Sequence, residues 1–290
     1  MAQVTAAMVK ELRQITDAPM MECKKALVEA DGDIEKAIDV LRVNGLAKAV
    51  KKAGRDTNEG TIAAYVPEDG KSAALIEVSC ETDFVATNAK FKAFVLDLAE
   101  VVANCNPADV DALLACPMKD STVDDALKES IFVIGENQKI VRFARLTVEN
   151  GAIASYVHHD GKHADLVQFS FNNAETAAND TFKNFGHDVA MQVIASDPIA
   201  ATREDIPAET VEHEKEIYRA QAAESGRPEK FWDGIVNGRL KKFFQERALT
   251  EQDFVKDGNV TVGELAKNIS KELGDDINIV SFIRFNFGEE

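Results

Sequence analysis

Gly60-Thr-Ile-Ala-Ala-Tyr65-Val66 and Gly151-Ala-Ile-Ala-Ser-Tyr156-Val157 decide the fold, because the second stretch is the first one repeated 91 residues later. Asp69-Gly70-Lys71 falls on Asp160-Gly161-Lys162, Phe91-Lys92-Ala93-Phe94 on Phe182-Lys183-Asn184-Phe185, and Pro107 on Pro198. From 60 to 107, 20 of 48 positions are identical without a gap, far above chance. Beyond that the match resumes at an offset of 139. Thr122-Val123 meets Thr261-Val262, Ile134-Gly135 meets Leu273-Gly274, and Ile140-Val141 meets Ile279-Val280. The second copy therefore carries about 48 extra residues between Pro198 and Thr261.

Each copy has the same pattern. A strand (61–66) turns at Asp69-Gly70 into a second strand (73–79), a hairpin signal. A helix from Lys90 to Ala103 follows, with Phe91, Phe94, Val95 and Leu98 on one face. A polar segment, a helix (Val123 to Phe132) and a last strand (Val141 to Val148) complete the unit. A period of about 90 is too long for a solenoid. The pattern predicts an α+β fold with two duplicated subdomains, 56–150 and 151–290, built on antiparallel sheets. The insertion, about 204–248, reads as two antiparallel helices, Ala208–Glu224 and Glu229–Glu246, joined by Ser225-Gly-Arg-Pro228. Its apolar stripe of Phe231, Trp232, Ile235, Leu240 and Phe243 is expected to face another chain or the rest of the protein.

Residues 1–55 read as a three-helix module. Thr5 caps a helix through Val4, Met8, Leu12 and Ile15, and Pro19 opens a second from Met20 to Ala30. Asp31-Gly32-Asp33 stops that helix and caps a third, lined by Ile34, Ala37, Ile38 and Leu41. Lys48-Ala-Val-Lys-Lys52-Ala-Gly54-Arg55 is expected to be a basic connector, either a solvated linker or a contact to an acidic partner.

The 290 residues carry 33 Lys plus Arg against 50 Asp plus Glu, a net charge of −17. Ten basic and eight acidic residues lie in 1–55, so that module is +2 and the remainder −19. Such a balance argues against nucleic-acid binding and against adhesion to anionic membrane. No run of apolar residues is long enough to span a bilayer, and Lys10, Glu11 and Arg13 interrupt the N-terminus before a secretory core could form. Cys23, Cys80, Cys105 and Cys116 form no CxxC pair, which suits reduced thiols in a cytoplasmic protein.

Catalytic signals are sparse. Gly70-Lys71-Ser72 lacks the earlier glycine of a phosphate loop, since position 65 is Tyr. His158, His159 and His163, with Asp160, straddle a hairpin turn where side chains splay, so no metal site is expected. Glu81 and Asp83 could share a face as an acid/base pair, but no third group accompanies them. Comparison of the copies isolates one loop. Cys80-Glu81-Thr82-Asp83-Phe84-Val85 in the first copy becomes Phe171-Asn172-Asn173-Ala174-Glu175-Thr176 in the second, between matching flanks. An aromatic beside a carboxylate in a polar loop is either folded into its own core or offered to a partner's pocket. The residues alone leave both open.

Leu12-Arg13-Gln-Ile-Thr16-Asp-Ala-Pro-Met20-Met21-Glu-Cys23-Lys24-Lys25-Ala-Leu27 and Glu77-Val-Ser-Cys80-Glu81-Thr82-Asp83-Phe84-Val85 closely resemble the two characteristic motifs of bacterial elongation factor Ts. Lys51-Lys52-Ala-Gly54 and Ile134-Gly135-Glu136-Asn137 are similar to two further segments of that family. The resemblance implies a UBA-like helical N-terminal domain, a duplicated core and an inserted coiled-coil hairpin. It implies a guanine-nucleotide exchange factor, not an enzyme, that takes no cofactor and acts on the GTPase elongation factor Tu. By resemblance, Thr82, Asp83, Phe84 and Val85 form the loop that intrudes near the partner's Mg²⁺ and phosphate site. Arg13, Met20, Met21 and Lys51 would dock on the same partner domain, and Ile134, Gly135 and His158 would face another. A homodimer is compatible with the hairpin's stripe.

Several segments depart from the family pattern. Asp17 and Pro19 stand where a Gly-rich turn is usual, the stretch around Arg142-Phe143 lacks paired arginines, and Lys162-His-Ala-Asp165 replaces a more apolar strand. Many members also continue past the equivalent of Phe287 into a C-terminal helical module. Two other functions fit the residues: an adaptor that uses the three-helix module without exchange, and a hydrolase built on Cys80, His158 or Asp83.

Overall fold

The computed structural model describes residues 4–289; positions 1–3 and 290, the outer ends of the expected terminal units, lie outside the described residues. Thr5 accepts the Met8 N–H and opens α1 (Ala6–Thr16), which closes on Asp17 in the left-handed region. Pro19 sits at the N-cap of α2 (Met20–Glu29), one position outside the helix rather than at its first residue. Asp33 accepts the Lys36 N–H and opens α3 (Ile34–Lys52). Leu12, Cys23, Leu27, Ala37 and Leu41 form this bundle's interior, sealed by Phe132 from the rest of the chain.

The expected connector at Lys48–Lys52 is helix. Alanine and lysine favour continuation, and burial decides it. Gly45 and Ala49 lie on the inner face, where a Cβ at Gly45 would sit 3.2 Å from the Phe132 ring. Lys48 pairs with Glu22 of α2 and lies over Phe132. Lys48 and Lys52 thus pack inward, while Lys51 and Arg55 stay exposed.

The first repeat unit follows as β1 (Glu59–Tyr65), β2 (Ser72–Cys80), α4 (Asp83–Ala86), α5 (Ala89–Cys105), α6 (Val110–Leu114), the short ladder β3 (Pro117–Met118) and β4 (Ser121–Thr122), α7 (Val123–Ile134) and β5 (Gln138–Thr147). Its sheet is antiparallel, in the order β1-β2-β5. The second unit has β6 (Gly151–Val157), β7 (His163–Ser170), a 3₁₀ turn at Ala174–Ala178, α8 (Asp180–Ser196), the inserted α9 (Ala208–Glu224) and α10 (Trp232–Arg247), β8 (Asp253–Phe254), β9 (Asp257–Thr261), α11 (Val262–Leu273) and β10 (Asn278–Asn286). Its sheet has the matching order β6-β7-β10.

One face of each sheet packs on its own helices, through Ile76, Phe91, Val95 and Leu98 in one unit and Val167, Phe169, Phe185 and Val189 in the other. The remaining faces meet, burying Ile62, Leu75, Ile153, Leu166 and Phe285 between them. The junction is reciprocal. Ile62 N–H donates to the Gly161 carbonyl (2.8 Å) and Ile153 N–H to the Gly70 carbonyl (2.9 Å), so each hairpin turn feeds the other unit's first strand.

The inserted helices bury little besides Ala222, Val236 and Leu240. At their base Ala200, Ile206 and Ala248 pack with Val211, Phe243 and Phe244. The expected single stripe is divided: Leu240 and Phe243 turn inward, whereas Phe231 at the tip is exposed. Trp232 donates its indole N–H to the Arg227 carbonyl (2.9 Å) and closes the turn.

Strand β7 forms despite the polar run Lys162–Asp165, and Asp165 is fully buried in it. One carboxylate oxygen accepts the Tyr156 N–H (3.1 Å), and the other has no hydrogen-bond partner among the described residues. Arg284, its cross-strand neighbour, points instead to Asp197 and the Pro198 carbonyl. Burial pushes the Asp165 pKa well above the usual carboxylate value, against the Tyr156 hydrogen bond and the Arg284 charge. In the first unit Ala74 fills the equivalent position, also fully buried. Asp165→Ala should therefore stabilise the chain by about 1–3 kcal/mol at neutral pH. Because the folded-state pKa is raised, the native state holds the proton more tightly, and the cost of Asp165 grows as pH rises above the unfolded-state value. Urea unfolding at pH 7.5 and pH 5 should show the gain shrinking at the lower pH; equal gains would contradict a buried carboxylate that titrates.

Candidate functional site

The loop singled out by comparing the copies is a one-turn helix with two inward and two outward residues. Thr82 caps it and accepts the Val85 N–H. Val85 and Ala86 are buried in the first unit's core, and this turns Asp83 and Phe84 outward. Phe84 is 82% exposed, the most exposed of the large apolar side chains among the described residues. Leaving such a ring in water forgoes about 2 kcal/mol of burial free energy. The loop does not collapse, because its inner side is already filled. The Thr87 hydroxyl donates back to the Asp83 carbonyl (2.9 Å), and Asn88 caps α5 directly after it.

A carboxylate from the far end of α7 grips this turn. Glu136 accepts the Thr82 N–H (3.0 Å) on one oxygen and the Thr82 hydroxyl (2.7 Å) on the other. Beside it, Glu81 accepts the Asn137 N–H (2.6 Å) and an Arg55 guanidinium N–H (3.3 Å). The Asn137 amide donates to the Arg55 carbonyl (2.8 Å), and Lys52 donates to the Gly135 carbonyl at the C-terminus of α7. A cation there suits the exposed carbonyls of a helix end. The exit of the N-terminal module, the end of α7 and the loop are thereby one hydrogen-bonded cluster.

Glu81 and Asp83 do not form an acid/base pair: Glu81 is held by Asn137 and Arg55, while Asp83 faces solvent. Cys80 is no better a nucleophile. Burial, with the nearby Glu136 charge, pushes its thiol pKa up to about 11, so it stays protonated at neutral pH. Among the described residues no group of three or more His, Cys, Asp or Glu could hold a metal ion.

The expected partner residues fall in three places. Thr82, Asp83, Phe84 and Val85 lie next to Ile134 and Gly135, joined through Glu136; Gly135 takes φ +93° as the α7 C-cap. Val85 is buried, so it supports the loop rather than presenting a surface. Arg13, Met20, Met21 and Lys51 are exposed on the N-terminal module, with Met20 at 52% and Met21 at 60%. A Lys90–Asp17 ion pair (2.9 Å) links that module to the start of α5. Between them lies a groove of about 640 Å³ lined in part by Ile15, Leu46, Phe94 and Ile134. His158 sits on the β6–β7 turn, where Nδ1 is 3.1 Å from the Tyr156 hydroxyl and its neighbours are His159 and His163.

Glu136, Asn137 and Arg55 were not among the expected site residues, and Glu81 was considered only as half of an acid/base pair. The available signal was the repeat itself, because a carboxylate recurs at 136 and 275, the offset of the later alignment.

Comparison with known proteins identifies the chain's relatives. A family profile described as Elongation factor TS matches residues 81–289. Elongation factor Ts of Clostridium tetani (strain Massachusetts / E88) is 45% identical over 289 residues, covering 99% of this chain and 94% of that protein. Elongation factor Ts of Lawsonia intracellularis (strain PHE/MN1-00) is 44% identical over 293 residues, covering 99% of each. The protein of the same name from Trichlorobacter lovleyi is 43% identical over 289 residues. With a profile across most of its length and relatives matched end to end, the chain belongs to the elongation factor Ts family.

Proposed function

We propose that this chain is a translation elongation factor that binds elongation factor Tu and promotes release of its GDP without catalysing a chemical reaction itself. The observation that carries the reading is Phe84, held outward on a hydrogen-bonded turn whose inner side is filled. The mechanism is linkage: a factor that binds empty GTPase more tightly than loaded GTPase weakens nucleotide binding by the same factor. The nucleotide is held through Mg²⁺ and phosphate contacts. An aromatic wedge with Asp83 beside it, pressed against those contacts, shifts the partner toward its empty state.

Arg13, Met20, Met21 and Lys51 form the second contact, and Ile134, Gly135 and His158 the third. In this reading 1–55 is a UBA-like docking domain, 56–150 and 151–290 are the core subdomains, and the hairpin at about 204–248 is a coiled coil available to the partner or to a second copy. The chain works in the cytoplasm, away from nucleic acid and membrane; no helix among the described residues is long and apolar enough to cross a bilayer.

Release of a fluorescent GDP from elongation factor Tu tests this. With a coupling of about 1–3 kcal/mol, GDP affinity should fall roughly 5- to 150-fold in the complex, and release should be faster than from elongation factor Tu alone. Unchanged release would overturn the reading and favour a docking adaptor built on the N-terminal module.

A further inference from the structure

Thr82 has two donors, its N–H and its hydroxyl, and Glu136 takes one on each carboxylate oxygen. The same hydroxyl oxygen accepts the Val85 N–H. Its rotor is fixed from both sides, so the direction in which the turn leaves β2 is fixed too, and Phe84 lies two residues further on. The second unit keeps this grip without the wedge. Asp275 accepts the N–H groups of Asn172 (2.9 Å) and Asn173 (3.0 Å) and the Thr176 hydroxyl (2.6 Å), yet Glu175 stands where the first unit has Phe84. The two carboxylates have matching structural roles and unequal surroundings, and this separates pose from stability.

We propose that Glu136 is a positioning residue for Phe84, with Asn137 tying the held pose to the N-terminal module through Glu81 and Arg55. The inference rests on the exchange reading above. Glutamine at 136 keeps one acceptor and turns an NH₂ group toward a Thr82 donor, so the turn loses its fixed direction while the docking residues Met20 and Met21 remain in place. Aspartate, the residue type that holds the corresponding loop in the second unit, restores a second acceptor.

The test is GDP release from elongation factor Tu over a range of factor concentrations, with melting midpoints measured in parallel. Glu136→Gln should lower the maximal release rate about tenfold with the half-saturating concentration within about twofold of wild type, the pattern of a misplaced group rather than a lost docking surface. Glu136→Asp should recover most of the rate. Asp275→Asn should lower the melting midpoint about as much as Glu136→Gln and leave release unchanged. A wild-type maximal rate in Glu136→Gln, a loss confined to half-saturation, or equal slowing in Asp275→Asn would each overturn the inference while leaving the exchange reading intact. A wild-type protein that does not speed release removes the exchange reading, and this inference with it.

Discussion

Phe84→Ala is expected to remove most of the acceleration of GDP release, leaving a rate close to that of elongation factor Tu alone, while the melting midpoint stays within about 1 °C of wild type. A buried aromatic anchor at an interface typically accounts for about 2–4 kcal/mol on truncation. Here the ring is not buried in its own chain, being 82% exposed, so its removal leaves no cavity and frees no packed neighbour. The turn's other supports remain: Val85 and Ala86 stay in the core and Thr82 stays on Glu136. Phe84→Leu should fall between the two, because it keeps apolar volume but not the flat face. If Phe84→Ala unfolds the protein, or melts it far below wild type, the side chain contributes to the fold and its assignment as a wedge is wrong.

The largest expected effect on stability comes from Gly151→Ala. Gly151 opens β6 at φ +148°, and a Cβ there would lie 1.9 Å from the Phe169 carbonyl oxygen and 2.9 Å from its carbon. Both atoms are backbone in the central strand β7, so neither can step aside without breaking the ladder. Strain of this kind, added to a lost strand register, should cost about 3–5 kcal/mol. For a chain of this size that lowers the melting midpoint by about 5–10 °C. Gly60, its equivalent in the first unit, meets the same obstacle 2.2 Å from the Val78 carbonyl. Gly54 is the control: nothing lies within 4 Å of an added Cβ, so Gly54→Ala should be close to neutral. Calorimetry of the three variants decides it. A Gly151→Ala protein that melts with wild type would mean the β6 backbone is not held as described.

Much of the architecture could be read before any coordinate, for a physical reason. Helix and strand periodicities are local, and the repeat presented each of them twice. The bounds of α5 and α8 differ by the 91-residue offset, and those of α7 and α11 by 139. What escaped was decided by neighbours distant in sequence. Lys48–Lys52 looked like a linker because its charge and Gly54 are visible, whereas the packing of Gly45 against Phe132 and the burial of Ala49 are not. The exposure of Phe84 could not be settled from its own chemistry, which favours burial; it was settled by Val85 and Ala86 taking the inner side of a single turn. The Glu136–Thr82 grip spans 54 residues, and no local pattern announces it.

The reciprocal contact between the turns at Gly70 and Gly161 and the strands at Ile62 and Ile153 has a consequence for division of labour. Two like halves joined this way supply every surface loop in duplicate, while the shared interior needs both halves only as filling. One member of each loop pair is then free to take on a different task. The chain uses that freedom twice: Phe84 faces outward in one half where Glu175 does in the other, and only the second half has grown a helical arm. Asymmetric surface features thus rest on a symmetric frame.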